Sequence, residues 1–419
     1  MTQSDVMVLG AGMVGISTAL ALQARGRSVV LVDRRGAAEE TSFGNAGLIQ
    51  SEAVMPYAFP HDLRVILGVL AGRRTDARIA WGALGKTLPF LLRYAASSSS
   101  ARVMRTARAN VPLVGGAIAA HRALSERAGP AATDLWRDGG YLRLYRSEKV
   151  MAAAVAADEA VEAQFGIPFR VLDAPALARA EPHLAPVFAG AVHMTGPKRI
   201  NDPGALGKAY AALFEAEGGT IAAGDATTLT RKDGLYRVAS DDGAVTAREA
   251  VVCLGPWSDA VLSRFGISLP LGVKRGYHRH YAPRGNAVLN HLVADEAGGY
   301  VLTPNARGLR ITSGAEFARR DDPPTPVQLM RAEADARTIF PIGDALDETP
   351  WLGARPCLPD LLPVIGRLGP DGLWGNFGHH HLGFTLGPVT GELLAQMLTG
   401  EQPLADPMPY RAGRFGRSA

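Results

Sequence analysis

Three glycines close to the amino terminus have the spacing of a phosphate-binding turn. Gly10, Gly12 and Gly15 follow an apolar run, and a helix-forming segment comes after them. In such a turn the first glycine permits a tight bend, the second lets a pyrophosphate approach the backbone, and the third lets the helix pack closely. The anion then binds at the positive end of the helix dipole. We therefore expect this turn, including Met13 and Val14, to bind a dinucleotide.

An acidic residue follows the next apolar segment. Val29–Val32 is continuously apolar, and Asp33 comes directly after it. An acidic side chain at this position of a dinucleotide-binding unit accepts hydrogen bonds from ribose hydroxyls. Arg34 and Arg35 come next, and arginine at this place can bind the 2′-phosphate of NADP. These residues alone therefore leave NADP open as the cofactor.

The elements that must position these residues can be predicted from the apolar pattern. The run that ends at Leu9 predicts a strand, and the following helix should reach about Arg25 and end at Gly26 in a left-handed cap. Val29–Val32 predicts a second strand, buried on both faces as in a parallel sheet. Strand, turn, helix, strand and acid in this order predict a Rossmann-like α/β domain.

The composition favours an ordinary soluble enzyme. The chain has 419 residues, 47% of them hydrophobic, enough for two or three domains. Its net charge of +4 is small for this length and does not favour nucleic-acid binding. Cys253 and Cys357 are the only cysteines, which excludes a disulfide scaffold and fits a reducing compartment.

Nothing in the sequence indicates a targeting or membrane-spanning segment. The first strand begins within five residues, which leaves no room for a secretory signal, and no apolar run is long enough to span a bilayer. We expect a cytoplasmic protein. Arg102, Arg105 and Arg108 lie at helical spacing, which leaves open a foothold on the inner face of the cytoplasmic membrane beside the simpler interpretation of a solvated helix face.

Four segments resemble the FAD-dependent D-amino acid dehydrogenases of the D-amino-acid oxidase superfamily. Thr41–Gly47 is similar to the family pattern Thr-Ser-Phe-Ala-Asn-Ala-Gly and differs only at Gly44. Val251–Ser258 is similar to Val-x-Cys-x-Gly-x-Trp-Ser. Gly353–Gly366 and Gly375–Thr385 match two later family motifs, with departures that place leucine at 358 and 361, histidine at 380 and 381, and phenylalanine at 384.

This resemblance implies FAD as the cofactor, bound non-covalently, in place of NADP. Arg34 then packs beside the adenine. Three adjacent histidines have diverging side chains, so a flavin-facing loop is favoured over a metal site, and we expect no metal. Besides the glycine turn, Asp33 and Arg34, the resemblance implies that the cofactor is contacted by Thr41, Ser42, Asn45, Ala46, Gly47, Leu48, Gly255, Trp257, Gly378, His379, His381, Leu382, Gly383, Phe384 and Thr385.

The resemblance also implies a substrate site. Arg355 should bind the substrate carboxylate, because a planar guanidinium can grip it with two hydrogen bonds. Tyr277 should assist from a strand of a second sheet, with Tyr300 as its rival, and His380 should narrow the substrate pocket.

The expected fold combines an FAD-binding Rossmann-like domain with an α+β substrate domain built on a mixed or antiparallel sheet. Residues 1–80, 190–262 and 350–419 are assigned to the first domain. Residues 81–189 and 263–349 are assigned to the second, which covers the flavin.

The function implied is oxidative deamination of D-amino acids to 2-oxo acids through an imino acid, by hydride transfer to flavin N5. The electrons would pass to a quinone or another acceptor. One alternative is oxidation of a cyclic secondary amine such as D-proline or cis-4-hydroxy-D-proline. Another is a flavin-binding redox subunit without its own amine chemistry. Whether the chain forms a homo- or hetero-oligomer is left open.

Overall fold

The computed structural model describes residues 2–369 and 371–416, which form two large sheets, a small sheet and surrounding helices. In chain order the strands of the described residues are β1 Thr2–Leu9, β2 Val29–Asp33, β3 Leu48–Ile49, β4 Ala77–Ile79, β5 Trp136–Arg137, β6 Tyr141–Tyr145, β7 Phe169–Asp173, β8 Gly190–Met194, β9 Lys198–Ile200, β10 Thr220–Lys232, β11 Leu235–Ser240, β12 Gly243–Val252, β13 Gly272–Pro283, β14 Leu292–Asp295, β15 Tyr300–Asn305, β16 Gly308–Thr312, β17 Ala315–Phe317, β18 Ile342–Ala345, β19 Trp351–Cys357, β20 Val364–Arg367 and β21 Leu373–Phe377. The α-helices are α1 Met13–Gln23, α2 Leu63–Leu70, α3 Leu84–Ser97, α4 Ser100–Ala128, α5 Pro130–Thr133, α6 Glu148–Phe165, α7 Ala174–Ala180, α8 Pro203–Ala216, α9 Ser258–Leu262, α10 Val327–Ile339 and α11 Gly383–Thr399.

The first sheet has a parallel centre in the order β10-β2-β1-β12-β21. Strand β20 extends one edge of the sheet antiparallel to β21. Strand β11 pairs antiparallel with both β10 and β12. Leu9 pairs with Val32 on one side and with Val252 on the other. Because the carboxyl ends of parallel strands meet at one edge, the glycine turn and Asp33 lie together there.

Two helices on this sheet approach so closely that their backbones touch. A Cβ added to Gly387 of α11 would lie 2.9 Å from Met13 Cγ of α1, and one added to Gly391 would lie 2.8 Å from the carbonyl carbon of Ser17. Apolar side chains of both helices, such as Ile16 and Leu393, then fill the core over the sheet. This contact fixes the start of α11 beside the start of α1.

The second sheet runs in the order β4-β17-β13-β16-β15-β14-β6-β8-β7, with β18 and β19 also paired to β13. Strand β13 therefore has four antiparallel partners. Side chains alternate along a strand, so Lys274 and Gly276 share one face of β13, and Arg275 and Tyr277 share the other. The Tyr277 face packs against α10 in a separate core.

The predicted fold class, an α/β FAD-binding fold with a second sheet, is confirmed. The domain division stays a prediction. Two segments pack with the sheet of the other predicted domain. Helix α4 belongs to the predicted cap segment 81–189, but its Leu113 and Val114 pack into the core of the first sheet. Strand β8 starts at residue 190, yet it pairs with β6 and β7 of the second sheet. Within the described ranges, no helix has the length and apolar character needed to cross a bilayer.

The contact between α1 and α11 can be tested with Gly391→Ala. The new methyl group would collide with backbone atoms of Ser17 and Thr18, so the helices must separate. We expect the free energy of unfolding to fall by about 1–3 kcal/mol, measured by chemical denaturation. Gly115→Ala is the matched control, because Gly115 is also inside a helix and a Cβ there meets no atom within 4 Å. Equal stabilities of the two variants would contradict the close contact.

Candidate active site

One large cavity brings the two halves of the fold together. Its volume is about 1120 Å³, and it extends from the glycine turn to β13 and to helices α2 and α3. Most of the predicted site residues border it. They are Gly10, Gly12, Met13, Val14, Asp33, Arg34, Thr41, Ser42, Asn45, Ala46, Leu48, Gly255, Trp257, Tyr277, Tyr300, Arg355, Gly378, His379, His380, His381, Gly383 and Phe384.

The glycine-turn end of the cavity offers bare backbone. Gly10 has a φ of 102°, and a Cβ there would lie 2.7 Å from the carbonyl oxygen of Cys253. The Met13 N–H donates to Ser42 Oγ at 2.9 Å, which ties residue 42 to the start of α1. The Ala11 N–H donates to Asp33 Oδ2 at 2.8 Å, so the carboxylate is oriented by the turn itself.

Stacked aromatic and cationic side chains border the cavity close to Asp33. The guanidinium of Arg34 lies 4.7 Å from the centre of the Trp257 ring. It also donates to Glu40 at 3.1 Å. Arg34 is therefore held as a packing partner of Trp257, and its place beside the adenine stays a prediction.

Four predicted cofactor contacts do not border the cavity. A Cβ on Gly15 would overlap the carbonyl oxygen of Gly10, and one on Gly47 would overlap that of Ile200, so both glycines serve close backbone packing. Leu382 is in the core. The Thr385 hydroxyl donates to the Leu48 carbonyl at 3.1 Å and accepts from the Gln50 N–H at 3.2 Å. These four residues position segments that do border the cavity.

Gly44 is the position at which residues 41–47 depart from the family pattern. A Cβ on Gly44 would overlap the indole ring of Trp351. Trp351 in turn stacks on His278 with ring centres 4.7 Å apart. Trp351 therefore occupies the space that an alanine side chain would need.

Arg355 faces the cavity from β19. Its guanidinium lies across Gly276, where a Cβ would be 2.5 Å from Nη2. Nη1 donates to the Gly314 carbonyl at 3.3 Å, and no carboxylate among the described residues lies within ion-pair distance. Burial lowers the pKa of Arg355, which marks the charge as poorly solvated. An anionic ligand in the cavity would stabilise it.

Lys274 is a second cation on this wall, and the sequence analysis missed it. It is the direct cross-strand neighbour of Arg355. Its Nζ lies 4.2 Å from the ring centre of Tyr94 and 5.4 Å from that of Phe317. Burial, and less strongly the charge of Arg355, lower the pKa of Lys274. The pairing of β13 with β19 reveals this neighbour, and that pairing is not visible in the sequence.

The hydroxyl groups of Tyr277 and Tyr300, one of which is predicted to assist binding of the substrate carboxylate, form hydrogen bonds within the protein. Tyr277 donates to Glu316 Oε2 at 2.9 Å and accepts from the Thr325 N–H at 2.8 Å. Tyr300 donates to Asp335 Oδ2 at 3.0 Å. Each hydroxyl is thus bound to a carboxylate of the protein, because the pleat turns it to the face opposite Lys274.

Two tyrosines that the sequence analysis did not single out border the cavity instead. They are Tyr57 and Tyr141. The ring of Tyr57 lies 4.9 Å from that of His381. The Tyr57 side chain is largely exposed, whereas burial raises the pKa of Tyr141 well above its usual value, so the Tyr141 phenol remains neutral. Neither lies in a motif, so the spacing and the family resemblance do not point to them.

The histidines of the loop before α11 are hydrogen-bonded within the protein, and their lowered pKa values keep them neutral. His379 Nε2 is hydrogen-bonded to Thr390 Oγ1 at 3.1 Å, and burial lowers the pKa of His379 to about 3. His380 Nε2 donates to the Leu361 carbonyl at 2.7 Å, and burial lowers its pKa to about 4. Burial also holds the pKa of His381 well below its usual value. In the described part of the chain no group of three or more acidic, histidine or cysteine side chains is placed to hold a metal.

The positions at which two family glycines are replaced keep a glycine-like backbone. Leu361 has a φ of 59° and His380 a φ of 43°. Side chains rarely adopt this left-handed region because of the clash between Cβ and the backbone. The hydrogen bond between His380 and the Leu361 carbonyl joins the two strained residues directly.

Comparisons with known proteins agree with this geometry. A family model described as DAO, FAD dependent oxidoreductase, matches residues 5–397. The D-amino-acid oxidase of Bradyrhizobium diazoefficiens is 31% identical over 423 residues, covering 98% of each chain. The D-amino acid dehydrogenase of Methylobacterium radiotolerans is also 31% identical over 423 residues, covering 98% of this chain and 99% of the other.

The chain belongs to the DAO family of FAD-dependent oxidoreductases. The predicted enzyme class and the predicted cofactor, FAD, are thereby confirmed. The fold agrees as well: the crystal structure of L-proline dehydrogenase from P. horikoshii has a TM-score of 0.74, covering 99% of this chain and 98% of that one at 19% identity.

The site fits FAD on two structural observations. The Gly10 and Gly12 backbone is open to the cavity, as a pyrophosphate requires. At the other end, His381 Nε2 is buried without a hydrogen-bond partner among the described residues, as expected for an atom that faces a polar ring system. DAO-family FAD would therefore be held between Gly10–Val14 and the loop that starts at Gly378.

Gly12→Val tests the binding of the pyrophosphate. A Cβ at Gly12 meets only Ser42 Oγ, at 3.3 Å, so the protein should fold while the new side chain blocks the approach of the phosphates. We expect the absorbance of bound flavin at about 450 nm to fall at least tenfold per protein. Gly413→Ala, where a Cβ meets nothing within 4 Å, should retain full flavin content. Normal flavin content in Gly12→Val would exclude this assignment.

Proposed function

We propose that this enzyme oxidises the amine of D-amino acids to imino acids, which hydrolyse to 2-oxo acids and ammonia. The observation that carries the proposal is Arg355, a half-buried cation that faces the cavity and has no carboxylate partner within the described residues. A guanidinium in this state favours a ligand with a carboxylate group. The homologues named D-amino-acid oxidase and D-amino acid dehydrogenase support the amine chemistry.

In this proposal the side chains of the protein bind the substrate carboxylate and set the charge around the substrate amine. Arg355 fixes the substrate carboxylate, which orients the α-carbon and converts the reaction into one between positioned groups. The positive charges of Arg355 and Lys274 disfavour the ammonium form of a bound substrate, so they assist loss of its proton. The neutral histidines add no further charge. When bound, FAD supplies the two-electron acceptor that takes the α-hydrogen as hydride.

We propose that FAD is bound non-covalently, because both cysteines are buried thiols with raised pKa values. Cys253 is inside the core of the first sheet, and burial raises its pKa to about 12. The Cys357 side chain is fully buried in an apolar cluster with Tyr94 and Leu361. Burial also raises the pKa of Cys357, so both remain unreactive thiols.

A quinone is the proposed electron acceptor. The cavity reaches apolar residues of α2 and α3, among them Ile66 and Leu91. Leu63, Leu67 and Leu92 on the same helices are exposed. This apolar surface suits an acceptor that partitions into a membrane, and we propose peripheral contact of α2 with the membrane surface. The homologues named dehydrogenases are consistent with an acceptor other than oxygen.

A cyclic secondary amine, such as D-proline or cis-4-hydroxy-D-proline, is a second candidate substrate. The side chains of Leu361 and His380 occupy space that glycines would leave empty, and both border the cavity. A narrower pocket favours a compact ring over a long side chain. Dye reduction with D-alanine and with the hydroxyproline isomers separates the two candidates, and no flavin reduction by any of these compounds would exclude both.

Arg355→Met tests the carboxylate site. The substitution retains the volume and removes the charge, so kcat/KM for D-amino acids should fall by a factor of about 100 to 1000 while flavin content stays unchanged. Arg105→Met, on the exposed face of α4, should retain full activity. Unchanged kcat/KM in Arg355→Met would favour the remaining possibility, a flavin-binding redox subunit without amine chemistry.

A further inference from the structure

The wall of the cavity carries two positive charges where one would bind an amino-acid carboxylate. Lys274 and Arg355 are opposite one another in the antiparallel pair of β13 and β19. Like charges in this position repel and destabilise the pair of strands. Neither forms an ion pair with any residue that the structure describes, although neighbouring Arg275 is paired with Glu316. The site therefore has more positive charge than the protein itself neutralises.

The surroundings of Lys274 compensate its charge only in part. Its Nζ faces the rings of Tyr94 and Phe317, and Ile79 and Leu91 line the cavity nearby. A cation over an aromatic ring recovers only part of the hydration free energy that an ammonium group loses when it is moved out of water. An anion from the ligand would make up the difference.

The two cationic groups point in different directions. Arg355 extends over Gly276 and donates to the Gly314 carbonyl. Lys274 extends toward Tyr94 on α3 and Phe317 on β17. Their Cβ atoms are about 5 Å apart, as for any directly opposed pair. One carboxylate held bidentately by Arg355 therefore leaves Lys274 free for a second anionic group a few bonds away.

We propose that Lys274 forms a second carboxylate subsite, which makes a dicarboxylic amino acid such as D-aspartate or D-glutamate the preferred substrate. The inference rests on the proposed oxidation of D-amino acids for the chemistry, but not for the binding. Arg355 takes the α-carboxylate and Lys274 takes the side-chain carboxylate. A neutral substrate such as D-alanine leaves Lys274 without a counter-ion.

Binding is tested with ligands that cannot be oxidised. Succinate and propionate are titrated into the holoenzyme, and the perturbation of the flavin absorbance gives the dissociation constants. We expect succinate to bind at least about tenfold more tightly than propionate. Lys274→Met should remove this preference and leave the propionate affinity unchanged, whereas Lys274→Arg should retain it. Lys149→Met, an exposed lysine of α6, is the control.

Turnover gives the second measurement. The ratio of kcat/KM for D-aspartate to kcat/KM for D-alanine should fall at least about tenfold in Lys274→Met at unchanged flavin content. Equal affinities for succinate and propionate in the wild type would overturn the subsite. An equal loss of both affinities in Lys274→Met would also overturn it, because Lys274 would then act only through the Arg355 site.

These experiments distinguish an error in the proposed reaction from an error in the Lys274 subsite. If no D-amino acid reduces the flavin, but succinate binds in a Lys274-dependent manner, the proposed reaction is wrong and the second anion site stands. If D-amino acids reduce the flavin, but Lys274→Met changes neither the succinate preference nor the substrate ratio, the reaction stands and the subsite is wrong.

Discussion

The contact between α1 and α11 determines where everything in the site can lie. Helix α1 begins at the glycine turn, and α11 begins directly after the histidine loop. Glycines at 387 and 391 let the two helices touch along their backbones. A long cofactor that is bound at both ends needs its phosphate-binding site and its ring-binding site at a fixed separation. Because the interior is close-packed, one tight crossing sets that separation more firmly than flexible loops could.

The substrate side depends on β13, which joins the other elements of the second sheet. One face of this strand packs against α10, with Arg275 in a buried ion pair with Glu316 at 2.7 Å. The other face presents Lys274 and the gap at Gly276 that admits Arg355. The same strand thus contains a cation that the protein neutralises and, one residue away, a cation that it does not. That difference is the basis for the proposal that Lys274 binds an anionic group of the ligand.

The sequence predicts the parts of the site that rest on local rules. The glycine turn, Asp33 and the second strand follow from spacing and apolar runs, and the resemblance located Arg355 within its motif. The face of β13 could not be predicted in this way. Tyr277 is predicted to bind substrate, and it borders the cavity, but its hydroxyl donates to Glu316. Lys274 could not be found in this way, because its cross-strand neighbour Arg355 belongs to a strand that follows about 80 residues later. Helix α4 shows the same limit, since its apolar stripe does not reveal which core it covers.

The strained pair of Leu361 and His380 has a consequence for how this chain can have changed over time. Each residue holds a backbone conformation that costs roughly 1–2 kcal/mol without glycine, and one hydrogen bond joins them. A chain with histidine at 380 and glycine at 361 would still form that bond, since the acceptor is a main-chain carbonyl. A chain with leucine at 361 and glycine at 380 would carry strain with no compensating bond. The hydrogen bond that His380 donates thus links the two replacements, and it is lost when glycine stands at 380.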